Sequence, residues 1–95
     1  MKGASVPFVY LLQCADGTLY TGWTIDLARR LSAHSRGSGA RYTRGRRPVK
    51  LVYWEACDSN RDARRREAEL RRLSRQQKLS LIAAHERIPL PGGDV

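Results

Sequence analysis

The period of the hydrophobic positions changes several times along the chain, and each change marks an element. Phe8-Val9-Tyr10-Leu11-Leu12 is a continuous apolar run of strand length, carried to Cys14 and stopped by the turn residues Ala15-Asp16-Gly17. It predicts a buried strand. Leu19–Trp23 returns as the second strand of a hairpin. Thr24 then caps a helix predicted over residues 25–35, with Asp26 in a first turn where negative charge suits the helix dipole. Residues 36–48 predict a basic loop, loosened by Gly37, Gly39 and Gly45 and closed by Pro48. Val49–Ala56 alternates and is rich in β-branched and aromatic side chains, so a third strand is expected. Ser59 with Asp62, and Ser74 with Gln77, carry the spacing of a capping box. They open helices predicted over residues 60–73 and 74–86. Ile88-Pro89-Leu90-Pro91-Gly92-Gly93 predicts an extended tail. The expected fold is α+β with the order ββαβαα, a small three-stranded antiparallel sheet flanked by helices. One domain is assigned to residues 1–87 and a tail to residues 88–95.

Composition adds bounds. A chain of 95 residues, 41% hydrophobic, is one domain with enough apolar surface for a core. No stretch approaches the roughly 20 apolar residues of a membrane helix. Met1-Lys2-Gly3-Ala4-Ser5 leads into the first apolar run without a small-residue cleavage site after it, so no signal peptide is expected. Cys14 and Cys57 are too few for a metal cluster or a disulfide framework. Both lie in strand-like segments, which suits buried free thiols in a reducing cytoplasm.

Charge changes the picture more. The formal net charge is +9, and residues 29–78 hold sixteen of the eighteen Lys and Arg against five acids. So local a field attracts and steers polyanions, and the preponderance of arginine suits bidentate contact with phosphate. A solvated basic surface or attachment to a ribosome would also carry such charge, but nucleic acid is the favoured reading; charge alone says nothing about catalysis.

Two helices carry polar residues where apolar ones belong. With Leu27 at zero and a step of about 100° per residue, Leu31 falls at about 40°, His34 at about 340°, Arg30 at about 300° and Arg29 at about 200°. Arg30 and His34 therefore edge the core-facing stripe, while Arg29 faces water. An arginine beside a buried stripe snorkels or meets an anion. With Ala63 at zero, Leu70 lies at about 340°, Leu73 at about 280° and Glu67 at about 40°, whereas Glu69 lies at about 240°. Glu67 sits inside the apolar stripe and needs a cation, a metal or a proton there. Each of these residues also has an ordinary structural reading: a boundary histidine, an arginine in an ion pair, a carboxylate paired with one of many arginines. Tyr10 and Tyr20, taken singly, read as core tyrosines with satisfied hydroxyls.

Taken together they form a pattern. Phe8-Val9-Tyr10, ten residues before Tyr20-Thr21-Gly22, resembles the paired motifs of the GIY-YIG nuclease superfamily. The run from Tyr20 through Trp23, Asp26 and Arg30 to Leu31 resembles its second motif and catalytic helix. The family arginine falls eight residues after the motif glycine, on Arg30; His34 fits the His or Tyr four residues on; Glu67 matches the metal-binding glutamate of a later helix. The resemblance covers roughly residues 7–84 and is nearest to small stand-alone bacterial members, similar to structure-selective endonucleases. Gly39-Ala40-Arg41-Tyr42-Thr43-Arg44-Gly45-Arg46-Arg47-Pro48 is typical of that branch. Phe8-Val9 replaces Gly-Ile of the first motif, and the only asparagine, Asn60, precedes Glu67 where many relatives have one after it.

The resemblance implies hydrolysis of DNA phosphodiester bonds, in DNA repair or processing, with one Mg²⁺ or Mn²⁺ held by Glu67 and waters. Arg30 would clamp the non-bridging oxygens, Tyr10 or Tyr20 would orient or deprotonate the water, and His34 would assist. Arg41, Tyr42, Arg44, Arg46 and Arg47, with Arg64, Arg65 and Arg71, would hold backbone phosphates, reading shape in place of sequence. The expected partners are DNA, with RNA left open, and a targeting protein, but no membrane. The alternatives are a non-catalytic DNA- or RNA-binding module of the same fold, a ribosome-associated protein and an adaptor. A shared site requires both tyrosines on one face of the hairpin. A two-residue turn would separate them, whereas a three-residue loop Ala15-Asp16-Gly17 pairs Cys14 with Thr18 and unites them. A type I turn with Gly17 in the left-handed bulge position is therefore predicted.

Overall fold

The computed structural model describes residues 6–85. The predicted tail, the end of the domain near residue 87 and the N-terminal Met1–Ser5 lie outside the described residues. Strands β1 (Phe8–Gln13), β2 (Leu19–Thr24) and β3 (Lys50–Ala56) form an antiparallel sheet in the order β2-β1-β3. Val9, Tyr10, Leu11 and Leu12 of β1 have no exposed surface. A central strand covered on both faces has no polar side, so its sequence is a continuous apolar run. On one face Val9, Leu11 and Tyr53 pack against Leu70; on the other, Tyr10 and Leu12 pack against Leu27.

Register puts the tyrosines together. Leu12 pairs with Tyr20 and Tyr10 with Gly22, so the side chains of Tyr10 and Tyr20 share a face. The loop is the predicted three-residue one: Cys14 N–H donates to Thr18 O at 2.9 Å, Gly17 N–H donates to Cys14 O at 2.9 Å, and Gly17 has φ 85°. On the other side of β1 a bulge intervenes between Leu11 and Leu12, which pair with Tyr53 and Leu51 and leave Val52 over.

Helix α1 (Leu27–Arg36) begins two residues later than expected, and its cap is Asp26, not Thr24. Asp26 Oδ1 accepts from Arg29 N–H at 3.1 Å, while Thr24 Oγ1 accepts from Asp26 N–H at 3.1 Å and shapes the approach. Gly37, at φ 87°, closes the helix in the left-handed conformation. The segment predicted as loop contains a one-turn helix, α2 (Arg41–Arg44). Helix α3 (Asn60–Arg71) has the predicted cap, Ser59 Oγ accepting from Asp62 N–H, but stops before Leu73. Helix α4 follows over Arg75–His85. Its capping box is reciprocal: Gln77 N–H donates to Ser74 Oγ at 3.1 Å and Ser74 N–H to Gln77 Oε1 at 2.9 Å. The order is thus ββαβαα with one extra turn of helix. Cys14 and Cys57 are free thiols, Cys14 buried as expected and Cys57 only half-buried. Among the described residues no helix is long and apolar enough to cross a membrane.

Candidate active site

The hairpin and α1 bring four of the five predicted catalytic residues into one cluster. Tyr10 crosses the sheet over Gly22: a Cβ there would lie 2.6 Å from the Tyr10 hydroxyl oxygen, so only glycine lets the phenol lie across β2. The Tyr10 and Tyr20 ring centroids are 6.5 Å apart, and Tyr20 and His34 are 5.3 Å apart. Arg30 and His34, one helical turn apart, face the tyrosines as the wheel requires; Arg29 is exposed.

His34 has no exposed surface, and each ring nitrogen has a partner. Nε2 lies 3.1 Å from the Tyr10 hydroxyl and Nδ1 2.8 Å from Thr43 Oγ1. The Thr43 hydroxyl donates its single proton to Ala40 O at 3.2 Å. With that proton on Ala40 O, Thr43 accepts from His34 Nδ1–H and Nε2 accepts from the Tyr10 hydroxyl. Burial first, and then the charge of Arg30, lowers the His34 pKa to about 4, so the ring is neutral at neutral pH. Burial raises Tyr10 to about 12, against the opposing pull of the adjacent Arg30. Both directions agree with a phenol donating to a neutral imidazole.

Arg30 lies against the Tyr10 and Tyr20 hydroxyls, which hold it more firmly protonated. Its Nε is buried and has no hydrogen-bond partner. The side chain lines a cavity of about 350 Å³ with Thr24, Ile25, Asp26, Arg29 and Ala33. A buried cationic donor left unpaired at the wall of a cavity is suited to an anion.

Glu67 reaches the same region from α3, close enough that its charge adds to the upward push on Tyr10. Its side chain is 20% exposed against 48% for Glu69, as the wheel predicts. Arg71 holds Glu67 Oε2 at 3.0 Å and reaches Thr21 O on β2 at 3.4 Å. No cluster of three or more His, Cys, Asp or Glu occurs among the described residues. One carboxylate is too little for a closed structural metal site, but it fits a hard cation that keeps most of its waters. Glu67 would be its protein ligand.

The predicted phosphate-binding residues are scattered. Arg41, Tyr42 and Arg44 are exposed on α2, and Arg64 is exposed on α3. Arg46 is already committed: it pairs with Asp16 at 3.0 Å, donates to Tyr42 O at 2.7 Å and covers the Tyr42 ring at 4.0 Å. Arg47 donates to Arg44 O at 3.0 Å, and Arg65 pairs with Asp62 at 3.1 Å. Three residues that position the cluster are absent from the sequence expectations: Thr43, Gly22 in its steric role, and Gly39, whose Cβ would meet His34 Nδ1 at 2.5 Å. Also unforeseen is a polar group at the far edge of the sheet, where Arg66 grips Glu55 at 2.9 Å and Glu55 accepts from Tyr53. Arg66 falls at about 300° on the same wheel, next to Leu73, which was the available signal.

The family model of the GIY-YIG catalytic domain matches residues 6–80. The chain is 53% identical to a UPF0213 protein of Clostridium perfringens over 77 residues, 81% of this chain and 83% of that one. A UPF0213 protein of Halobacterium salinarum is 52% identical over 74 residues, 78% of this chain and 96% of that one. The solution NMR structure of a UPF0213 protein from Bacillus halodurans is similar at a TM-score of 0.53 and 46% identity, covering 82% of this chain and 83% of that one. That of a protein from E. faecalis is similar at a TM-score of 0.59 and 30% identity, covering 99% and 100%.

Proposed function

The chain belongs to the GIY-YIG family, and on that premise we propose that it is an endonuclease hydrolysing phosphodiester bonds in DNA with one divalent cation. One observation carries the reading: Arg30, a half-buried arginine whose Nε is buried and unpartnered, beside two tyrosine hydroxyls. A non-bridging phosphate oxygen would complete its hydrogen bonds and be held against the tyrosines, and charge growing on that oxygen would strengthen the contact. Mg²⁺ or Mn²⁺ held at Glu67 would supply Lewis-acid charge to the phosphate.

The order of the hydrogen bonds supports a path for the proton. As the attacking water gives a proton to the Tyr10 oxygen, the proton already on Tyr10 passes to His34 Nε2, which faces it at 3.1 Å. The new P–O bond forms as the bond to the leaving oxygen breaks, and that oxygen takes its proton from solvent. Thr43 fixes the tautomer this path needs, and Tyr20 orients the water.

A DNA-binding module of the same fold is the second reading. The Glu67–Arg71 ion pair favours it, because an internal cation already neutralises the carboxylate. Incubating the protein with branched and linear DNA separates the two. The nuclease reading expects cleavage with Mg²⁺ that stops on chelation and in Glu67→Gln. Binding without cleavage, or cleavage indifferent to both treatments, rejects it.

A further inference from the structure

A second cavity, of about 340 Å³, is lined by Leu19, Tyr20, Thr21, Tyr42, Arg71 and Lys78. We propose that it is a subsite for one unpaired nucleotide flanking the bond to be cleaved, so that single-stranded DNA or a single-stranded end is the preferred substrate. The proposal rests on the DNA reading above and assigns the substrate class to that site.

Size, chemistry and position converge. The volume suits a small ligand and admits one nucleotide, whereas a base in a duplex is closed between its neighbours and cannot enter unless it leaves the stack. The walls pair aromatic with cationic side chains and contain no acid. That combination serves a base and its phosphates together and is indifferent to sequence. Tyr20 and Tyr42 are 5.7 Å apart and tilted by 32°. Arg46 covers one face of Tyr42 and is itself tied to Asp16 and Tyr42 O, so the aromatic wall is set before a ligand arrives. Arg71 is 59% exposed although it holds Glu67, which leaves donors for a phosphate. Lys78 forms no ion pair among the described residues. Tyr20 belongs to both places: its ring is 5.3 Å from that of His34. An occupant touching Tyr20 therefore stands next to the Tyr10–His34–Arg30 group.

The test is fluorescence anisotropy of the full chain with a short labelled single strand and the matching duplex, in chelator to prevent cleavage. The single strand is expected to bind about tenfold more tightly than the duplex, and Tyr42→Ala and Lys78→Ala each to weaken single-strand binding roughly fivefold or more. Duplex binding should fall less than single-strand binding in both, Tyr42→Phe should restore the single-strand affinity, and Lys78→Ala should reduce the salt slope of single-strand binding by about one. Equal affinity for the two DNAs, or single-strand binding unmoved by both alanine variants, overturns the subsite. The nuclease reading fails separately. A single-strand preference without Mg²⁺-dependent cleavage sinks the nuclease and keeps the subsite; equal cleavage of both DNAs by wild type and both variants does the reverse.

Discussion

His34 is fully buried with both ring nitrogens hydrogen-bonded, and burial together with the charge of Arg30 favours its neutral form at rest. Its pKa falls from 6.5 to about 4. The folded state thus binds fewer protons than the unfolded one between those values, and stability rises with pH there. The contribution of His34 is complete above pH 6.5 and drains away as pH falls toward about 4, by an amount on the order of 3 kcal/mol. Chemical denaturation across that window should show the loss in the wild type and a flatter profile in His34→Gln. Parallel profiles would mean that the buried neutral ring does not titrate as described. Half of this environment is readable from the chain. A wheel separates Arg30 from Arg29 and places His34 at the core edge, because a helical period turns position into direction. Thr43 is not readable, since it meets His34 only after residues 37–44 fold back over the ring.

The hairpin shows what an element's own rules can decide. Alternation demands that Tyr10 and Tyr20 share a face, only an odd loop satisfies that demand, and Gly17 supplies the positive φ such a loop needs. Gly22 has a different role, because its constraint comes from the phenol of Tyr10 on the neighbouring strand. Gly22→Ala would place a methyl group 2.6 Å from the Tyr10 oxygen and 2.7 Å from its ring carbon. The ring must move, costing about 1–3 kcal/mol and breaking the bond to His34. A lowered Tm together with lost cleavage is the expected result; an unchanged Tm would mean that the sheet yields where the geometry says it cannot. Short elements were less legible. One turn of helix, such as α2, is too brief to display a period, and Asp26 and Thr24 are both capping residues two positions apart, which only the backbone can rank.

Across the molecule the positive charge is not uniformly available. Composition records a net charge of +9, but it cannot say that Arg46, Arg65, Arg66 and Arg71 are each paired with an acid. Two cationic places adjoin the tyrosines: Arg30, whose buried Nε has no hydrogen-bond partner, and the cavity lined by Tyr20, Lys78 and the partly committed Arg71. The resemblance in the sequence reached the family and the cluster; the cavities and the tautomer needed the fold. The central claim is that Arg30, placed by α1 against the two tyrosines, stabilises charge on a phosphate. It is tested most directly by single-turnover DNA cleavage with Mg²⁺ in Arg30→Ala beside Arg29→Ala, one residue away on the exposed side of the same helix. The account predicts a loss of about 10²–10³-fold or more in Arg30→Ala and a rate near wild type in Arg29→Ala. Equal rates in the two variants, or no cleavage by the wild type, would contradict it.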